Sequence, residues 1–150
     1  MERMKAVAGW GDMDFNSHMR NTAYLDKSAD TRLLFFSRHG FPISEFAKLK
    51  LGPVVMKDEV VYFKEIKLLE EMEISLAVAG LSEDGSRHLL RNEFYRADGR
   101  RAATVSSLGG WLDLSARRFI APPSQLLAAL TTLPKTEDFA VLPSNIDRDG

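Results

Sequence analysis

The chain has 150 residues, 45% of them hydrophobic and 27% charged, which suits one soluble globular domain with a single sizeable core. A formal net charge of −1 and a pI near 6.3 leave no basic field to draw in nucleic acid or an anionic membrane. With no cysteine, disulfides, thiolate metal sites and cysteine nucleophiles are excluded. No apolar run follows Met1-Glu2-Arg3-Met4-Lys5, so no signal peptide is expected. No stretch approaches the roughly 20 apolar residues that span a bilayer. The expectation is a cytoplasmic domain without membrane or nucleic-acid partners.

Residues 3–9 read as a first strand. An acidic, turn-prone loop follows, Gly11-Asp12-Met13-Asp14-Phe15-Asn16-Ser17-His18, and runs to about Arg20. A helix is expected from about Asn21, continuing without Pro or Gly to near Gly40. Thr22, Leu25, Ala29, Leu33 and Phe36 recur at helical spacing and predict its buried stripe, which Leu34 and Phe35 widen. Gly40 is expected as a left-handed cap, with Pro42 beyond it. Ile43 to Lys50 is expected to add one or two further helical turns.

After Gly52-Pro53 the character changes to a β-branched and aromatic run, Val54 to Phe63, which predicts the first long strand. Glu73 to Leu81, Arg87 to Arg96 and Ala102 to Leu114 predict three more. Glu83-Asp84-Gly85 and Ala97-Asp98-Gly99 supply the turns between them. Gly109-Gly110 inside the last strand predicts a bulge or a close backbone approach. Pro122-Pro123-Ser124 starts a short helix with Gln125 to Thr131 as its body. The tail from Pro134 to Gly150 is polar, with Phe139, Val141 and Leu142 as apolar anchors, and is expected to be loosely held. The chain therefore predicts one domain over 1–150, with a core of about 3–131 and a C-terminal extension of 132–150. The class is α+β, one long helix against one antiparallel sheet.

A carboxylate-bearing loop that leads into a helix start sets an ionised base beside free backbone N–H donors. The plainest reading of the same residues is that Asn16, Ser17 or Asn21 merely cap the helix. Asp12, Asp14 and Asn16 also match the first ligands of a calcium loop. Ser17, however, stands where Gly must make the sharp turn, and Ala23 where the bidentate Glu must be. A transition-metal site from Asp12, Asp14 and His18 finds no further His in range, so no metal is expected. Asp26 and Asp30, at i,i+4 with Lys27 and Arg32 nearby, are expected on a solvated or ion-paired helix face. His39 is expected as a partner of the helix C-terminal dipole. Arg100, Arg101, Arg117 and Arg118 read as solvated surface. No G-x-S-x-G elbow accompanies His18, His39 and His88.

Asp12-Met13-Asp14, then His18-Met19-Arg20-Asn21, then Tyr24-Leu25 resemble the opening signature of the hotdog-fold family, in its 4-hydroxybenzoyl-CoA thioesterase-like branch. The resemblance continues through Leu51-Gly52-Pro53-Val54-Val55, Asp98 to Ala102, Trp111-Leu112-Asp113, Arg117-Arg118 and Pro122-Pro123, covering about residues 3–131. The chain departs from the family at Ser17, where many members have Gly, and at Arg20, the first place of an Asn-Asn pair.

The resemblance implies an antiparallel sheet wrapped around one long central helix, plus a short C-terminal helix. It implies acyl-CoA thioesterase activity, with Asp14 as nucleophile or general base. Backbone N–H at about Asn21 would polarise the thioester carbonyl, where charge develops in the transition state. His18 is expected either to hold the loop or to orient substrate, and Tyr24 to pack beside the acyl pocket. Ser86, Arg87 and His88 are expected at the phosphates of coenzyme A. The implied substrate is a thioester of coenzyme A or acyl carrier protein, with no separate cofactor, since coenzyme A is part of the substrate. The implied assembly is a homodimer joined edge to edge, or a homotetramer, in which Asp14 faces Val54, Asp58 or Val60 of the other chain. A hotdog hydratase or dehydratase using Asp14 and His18 is the nearest alternative, though its longer Asp-Asn-Pro-hydrophobic-His arrangement is missing. A non-catalytic acyl-thioester binding protein is the other.

Overall fold

The longest strand, thirteen residues of alternating and small side chains from Arg101 to Asp113, is the seam on which the sheet is assembled. The structure is a computed structural model and describes residues 3–146, so the last four residues of the extension lie outside the described residues. In chain order the elements are β1 (Arg3–Val7), α1 (Asn21–Arg38), α2 (Ile43–Leu49), β2 (Leu51–Tyr62), β3 (Glu71–Ser75), β4 (Ala77–Ser82), β5 (Arg87–Arg96), β6 (Arg101–Asp113), β7 (Arg118–Ile120), α3 (Ser124–Thr131) and β8 (Lys135–Leu142). Among the described residues the strands form one eight-stranded sheet. Strand β6 pairs with β2 on one side and β5 on the other, and β5 in turn pairs with β3 and β4. Strand β1 lies outside β3, and β7 pairs with the end of β6. Every pairing is antiparallel except that of β4 with β8. The expected α+β class holds. No helix of the described residues is long and apolar enough to cross a membrane.

Both turns fall where Gly demanded them, Gly85 at φ +75 and Gly99 at φ +84. Gly40 takes φ +88 just past α1, the left-handed cap that ends the helix. The strand expected from Glu73 to Leu81 is instead two, interrupted at Leu76, with a further irregularity between Val78 and Gly80. Both halves run along β5, so the break bends one line of the sheet without ending it. Strand β7 was not anticipated, three residues being too few to show alternation.

The predicted stripe of α1 is corrected. The side that faces the sheet carries Ala23, Tyr24, Ser28, Thr31, Phe35 and Phe36. Leu25, Ala29 and Leu33 are half-buried, while Thr22 and Leu34 are exposed. Hydrophobic periodicity missed this side because two hydroxyls sit in its middle. Thr31 satisfies its hydroxyl on the Lys27 carbonyl at 2.8 Å, a bond that stays within the helix.

A polar belt lies between two apolar clusters. Ala23 and Tyr24 pack with Ile66, Met72, Ile74 and Phe94 at the start of α1. Phe35 and Phe36 pack with Phe46, Leu90, Trp111 and Leu126 at its end. Between them, Arg32 reaches under the helix and donates to Ser107 Oγ at 3.1 Å and Asn92 Oδ1 at 3.5 Å. Ser107 in turn donates to Asp58 at 2.6 Å, and Asn92 donates to the Ser75 carbonyl at 3.1 Å. Burial lowers the Arg32 pKa, and the opposite charge of Asp58 counters that effect.

The tail is also corrected: it is tied down, not loose. β8 adds a parallel strand to β4, and Phe139 packs against the apolar cluster. Beyond it, the Ser144 hydroxyl donates to Asp84, and Asn145 donates from Nδ2 to the Ser86 carbonyl at 2.8 Å. A polar sequence hides such fastening, because side chains that match a distant turn leave no periodic mark.

Gly109-Gly110 behaves as its position suggested. A bulge on β2 leaves Met56 unpaired opposite Gly109 and Leu108. A Cβ on Gly109 would collide with the Val54 carbonyl and stand 3.1 Å from His88 Cε1. Gly109→Ala should therefore part β2 from β6 and lower unfolding free energy by about 1–3 kcal/mol in denaturant titration. Gly11→Ala, with nothing within 4 Å of its Cβ, should change it far less. Equal stability of the two variants would contradict the close approach.

Candidate active site

The acidic loop is pinned at both ends before it reaches the helix. Trp10–Asp12 makes one 3₁₀ turn, and the Asp12 carboxylate closes it by accepting the Gly9 N–H at 2.8 Å. Lys27, on the first turns of α1, reaches back to Asp12 at 3.0 Å. Partial burial pushes the Asp12 carboxyl up, but the Gly9 bond and Lys27 more than offset it and hold it below the ordinary carboxylate range. The Arg20 N–H donates to the Asp12 carbonyl at 2.8 Å, and the Met19 N–H to the Ile66 carbonyl at 2.8 Å. The loop is thereby stitched to the chain before β3.

Between those pins the backbone turns back on itself around Asp14. The Asp14 N–H donates to the His18 carbonyl at 2.8 Å, and the Ser17 N–H to the Asp14 carbonyl at 3.2 Å. Ser17 makes the turn possible by adopting φ +64, the left-handed region that Gly enters without cost. The same turn aims two donors at the side chain: Asp14 Oδ1 accepts the Asn16 N–H at 2.8 Å and the His18 N–H at 3.1 Å. The His18 N–H, against slight desolvation and with help from Asn16, holds this exposed carboxyl below its usual range. Asp14 is ionised at neutral pH, and its Oδ2 has no partner among the described residues.

The helix start offers a donor. Arg20 is the N-cap in extended conformation and makes no side-chain cap. The Thr22 N–H is taken by Asn21 Oδ1 at 2.9 Å, and the Ala23 N–H by the Arg20 carbonyl at 3.0 Å. That leaves the Asn21 N–H without an acceptor among the described residues, at the positive end of the helix dipole.

Asp14, His18, Asn21 and Tyr24 line one cleft of about 470 Å³. Tyr24 forms its floor at 2% exposure, meeting Tyr62 and Phe94 edge-on at 5.3 and 5.1 Å. Burial, with Tyr62, Glu70 and Glu65 adding to it, pushes its hydroxyl up to about 12, so it stays neutral. His18 turns its Nε2 to Glu65 at 3.0 Å. Asp12, Asp14 and His18 thus face three different sets of partners: Lys27, the Asn16 and His18 N–H groups, and Glu65. Arg20 and Lys64 also line the cleft. Sequence reasoning saw Arg20 only as a departure and missed Lys64, since a basic residue after a strand carries no distinguishing signal.

The remaining expected residues lie elsewhere in the chain. Val54 and Val60 are half-buried on β2, and Asp58 is exposed there, bound to Ser107. Within one chain the cleft takes its strand wall from Tyr62 and Phe63 instead. Ser86 and Arg87 are engaged by the tail: the Ser86 hydroxyl accepts the Asn145 N–H at 2.9 Å, and Arg87 Nε donates to Asn145 Oδ1 at 2.6 Å. His88 points into the core at 5% exposure, its ring 4.9 Å from Trp111. Alternation along β5 explains the difference, since Arg87 and His88 must face opposite sides of the sheet. His39 packs its ring on Phe35 at 4.2 Å, tilted by 35°. Asp26 and Asp30 are exposed, and Lys27 and Arg32 bond elsewhere.

The sequence profile of the thioesterase-like superfamily matches residues 8–130. No curated protein sequence matches the chain. A Staphylococcus aureus protein solved in complex with CoA is 20% identical with a TM-score of 0.78, over 95% of this chain and 89% of its own. A gentisyl-coenzyme A thioesterase is 18% identical with a TM-score of 0.77, over 86% of this chain and 99% of its own. The DHNA-CoA thioesterase of Staphylococcus aureus is 19% identical with a TM-score of 0.79, over 87% of this chain and 88% of its own. At these identities the likeness is one of fold, the hotdog fold.

Two measurements test this local account. Ser17→Gly should relieve the left-handed strain and stabilise the protein by about 1 kcal/mol, whereas Ser17→Val should destabilise it; a destabilising Gly would contradict the turn. Burial, with Arg32 adding to it, pushes the His88 imidazole from 6.5 down to about 4. The unfolded chain therefore takes up this proton first, and about 3 kcal/mol of stability, fully present above pH 6.5, should be lost as pH falls toward 4. Denaturant unfolding at several pH values should show a shallower acid slope for His88→Phe than for the parent. Identical slopes would mean that His88 is not buried neutral.

Proposed function

The chain belongs to the thioesterase-like superfamily, and from that premise we propose that it hydrolyses an acyl-coenzyme A thioester to the free acid and coenzyme A. The observation that carries this reading is the pairing, on one cleft, of an ionised Asp14 carboxylate with an unoccupied N–H at Asn21. The thioester carbonyl oxygen accepts the Asn21 N–H, which strengthens as negative charge builds on that oxygen. Asp14 acts by one of two balanced routes. As general base it takes a proton from water, whose oxygen adds to the carbonyl carbon, and the tetrahedral intermediate collapses to expel thiolate. As nucleophile it adds through its free oxygen, thiolate leaves, and water then hydrolyses the mixed anhydride. Both routes need Asp14 unprotonated, which its two backbone donors favour. Thiolate leaves readily, so no strong general acid is required and no separate cofactor takes part.

Coenzyme A as the carrier is supported by the structural relatives, two of them coenzyme A thioesterases and one a complex with CoA. A homodimer, alone or paired into a tetramer, is supported by the open edge of β2, where Val55, Met56, Val61 and Tyr62 are exposed. In that assembly Val54, Asp58 and Val60 of one subunit would close the cleft around Asp14 of the other. The proposed setting is the cytoplasm, in keeping with a chain without cysteine. The hydratase alternative loses ground because the His18 imidazole is engaged by Glu65.

Thiol release from a panel of acyl-CoAs tests the assignment. Asp14→Asn and Asp14→Ala should lower the rate by about 10²–10⁴-fold with the unfolding transition unchanged. Undiminished release in these variants would overturn the role of Asp14. Consumption of an enoyl-CoA without free thiol would favour a hydratase, and binding without consumption a carrier of acyl thioesters.

A further inference from the structure

A second cavity lies at the far end of α1, with chemistry unlike that of the Asp14 cleft. It is half open and holds about 450 Å³, within the usual range of small-molecule pockets. Eighteen residues of helix separate its Arg38 end from the Asn21 end, about 27 Å at the α-helical rise. Its walls are apolar: Met4, Phe35, Ile74, Leu76, Leu133 and Pro134. Its ionisable lining residues are Arg3, Arg38 and His39, with no Asp or Glu among the described residues. Arg3 is already committed, stacking on Tyr95 at 4.0 Å and meeting Glu73 at 3.7 Å. Arg38 has no ion-pair partner among the described residues, which leaves its guanidinium to a ligand. Thr31 and Thr132, the hydroxyl-bearing residues of the lining, spend their hydroxyls on the Lys27 and Ala129 carbonyls.

We infer that this cavity binds a carboxylate with an apolar tail, a medium-chain fatty acid in class, with the tail against Ile74, Leu76 and Leu133 and the carboxylate on Arg38. The walls exclude a strongly polar ligand, because the hydroxyls are satisfied within the chain and the remaining surface gains only from apolar burial. The cationic mouth selects an acid over a neutral amphiphile, since a guanidinium takes a carboxylate through two parallel bonds. The carbonyl end of the helix dipole works against an anion here, so the affinity is modest and depends on Arg38. The site does not rest on the hydrolase reading, because neither Asp14 nor Asn21 touches it.

Calorimetric titration of the full chain with octanoate and with octanol tests the class of ligand, and methyl NMR locates it. Octanoate should bind about tenfold or more tightly than octanol, roughly one charge-assisted contact in strength. The methyls of Ile74, Leu76 and Leu133 should shift on binding. Arg38→Glu should abolish the preference, and Arg38→Lys should retain part of it. Thr132→Glu, an exposed change that places a carboxylate at the mouth, should weaken octanoate while leaving octanol as before. Equal binding of acid and alcohol, no binding of either, or shifts confined to residues around Tyr24 would each overturn the inference.

Discussion

Two backbone N–H groups, those of Asn16 and His18, hold one oxygen of Asp14, and the site depends on that hold. The same five-residue turn fixes three things at once. It keeps the carboxylate ionised, it leaves the second oxygen open, and it delivers the chain through Met19 and Arg20 to the first turn of α1. A carboxylate on a freer loop would have its ordinary acidity but no fixed relation to the Asn21 N–H. Here the relation is set by backbone bonds, and backbone bonds change little with substrate. This is preorganisation of the kind that electrostatic catalysis requires.

The sheet serves the turn by anchoring the helix behind it. Tyr24 locks the start of α1 against Phe94 and Tyr62, while Phe36 locks its end against Trp111 and Phe46. The polar belt around Arg32 separates those two anchors and runs out to Asp58 on the open strand β2. Replacing such a belt with apolar side chains is often neutral or stabilising, so its presence is weak evidence for stability. Its position suits the proposed assembly, in which Asp58 would sit at the boundary with a second copy.

Much of the arrangement was legible in the sequence because it rests on local rules. Gly40, Gly85 and Gly99 mark positions that need positive φ, and each stands where the chain turns. The Asp-x-Asp loop and the break-free helix after Arg20 set Asp14 and Asn21 close in sequence, and both line one cleft. Other features were hidden because they depend on residues far apart. Ser28 and Thr31 disguised the buried face of α1, and Ser144 and Asn145 fastened a tail that reads as solvent-exposed. Arg87 and His88, expected together, part for a geometric reason: successive residues of a strand face opposite ways, so Arg87 meets the tail while His88 enters the core.

The central claim is that the Asp14 carboxylate and the Asn21 N–H act on the same thioester group. A structure with a non-hydrolysable ketone analogue of an acyl-CoA, in which a methylene replaces the thioester sulfur, tests it most directly. The account predicts the analogue's carbonyl oxygen at about 2.9 Å from the Asn21 nitrogen, within hydrogen-bond distance, with the adjacent carbon facing the free oxygen of Asp14. An analogue bound with its carbonyl turned away from both groups, or seated at the Arg38 end of the helix, would contradict it.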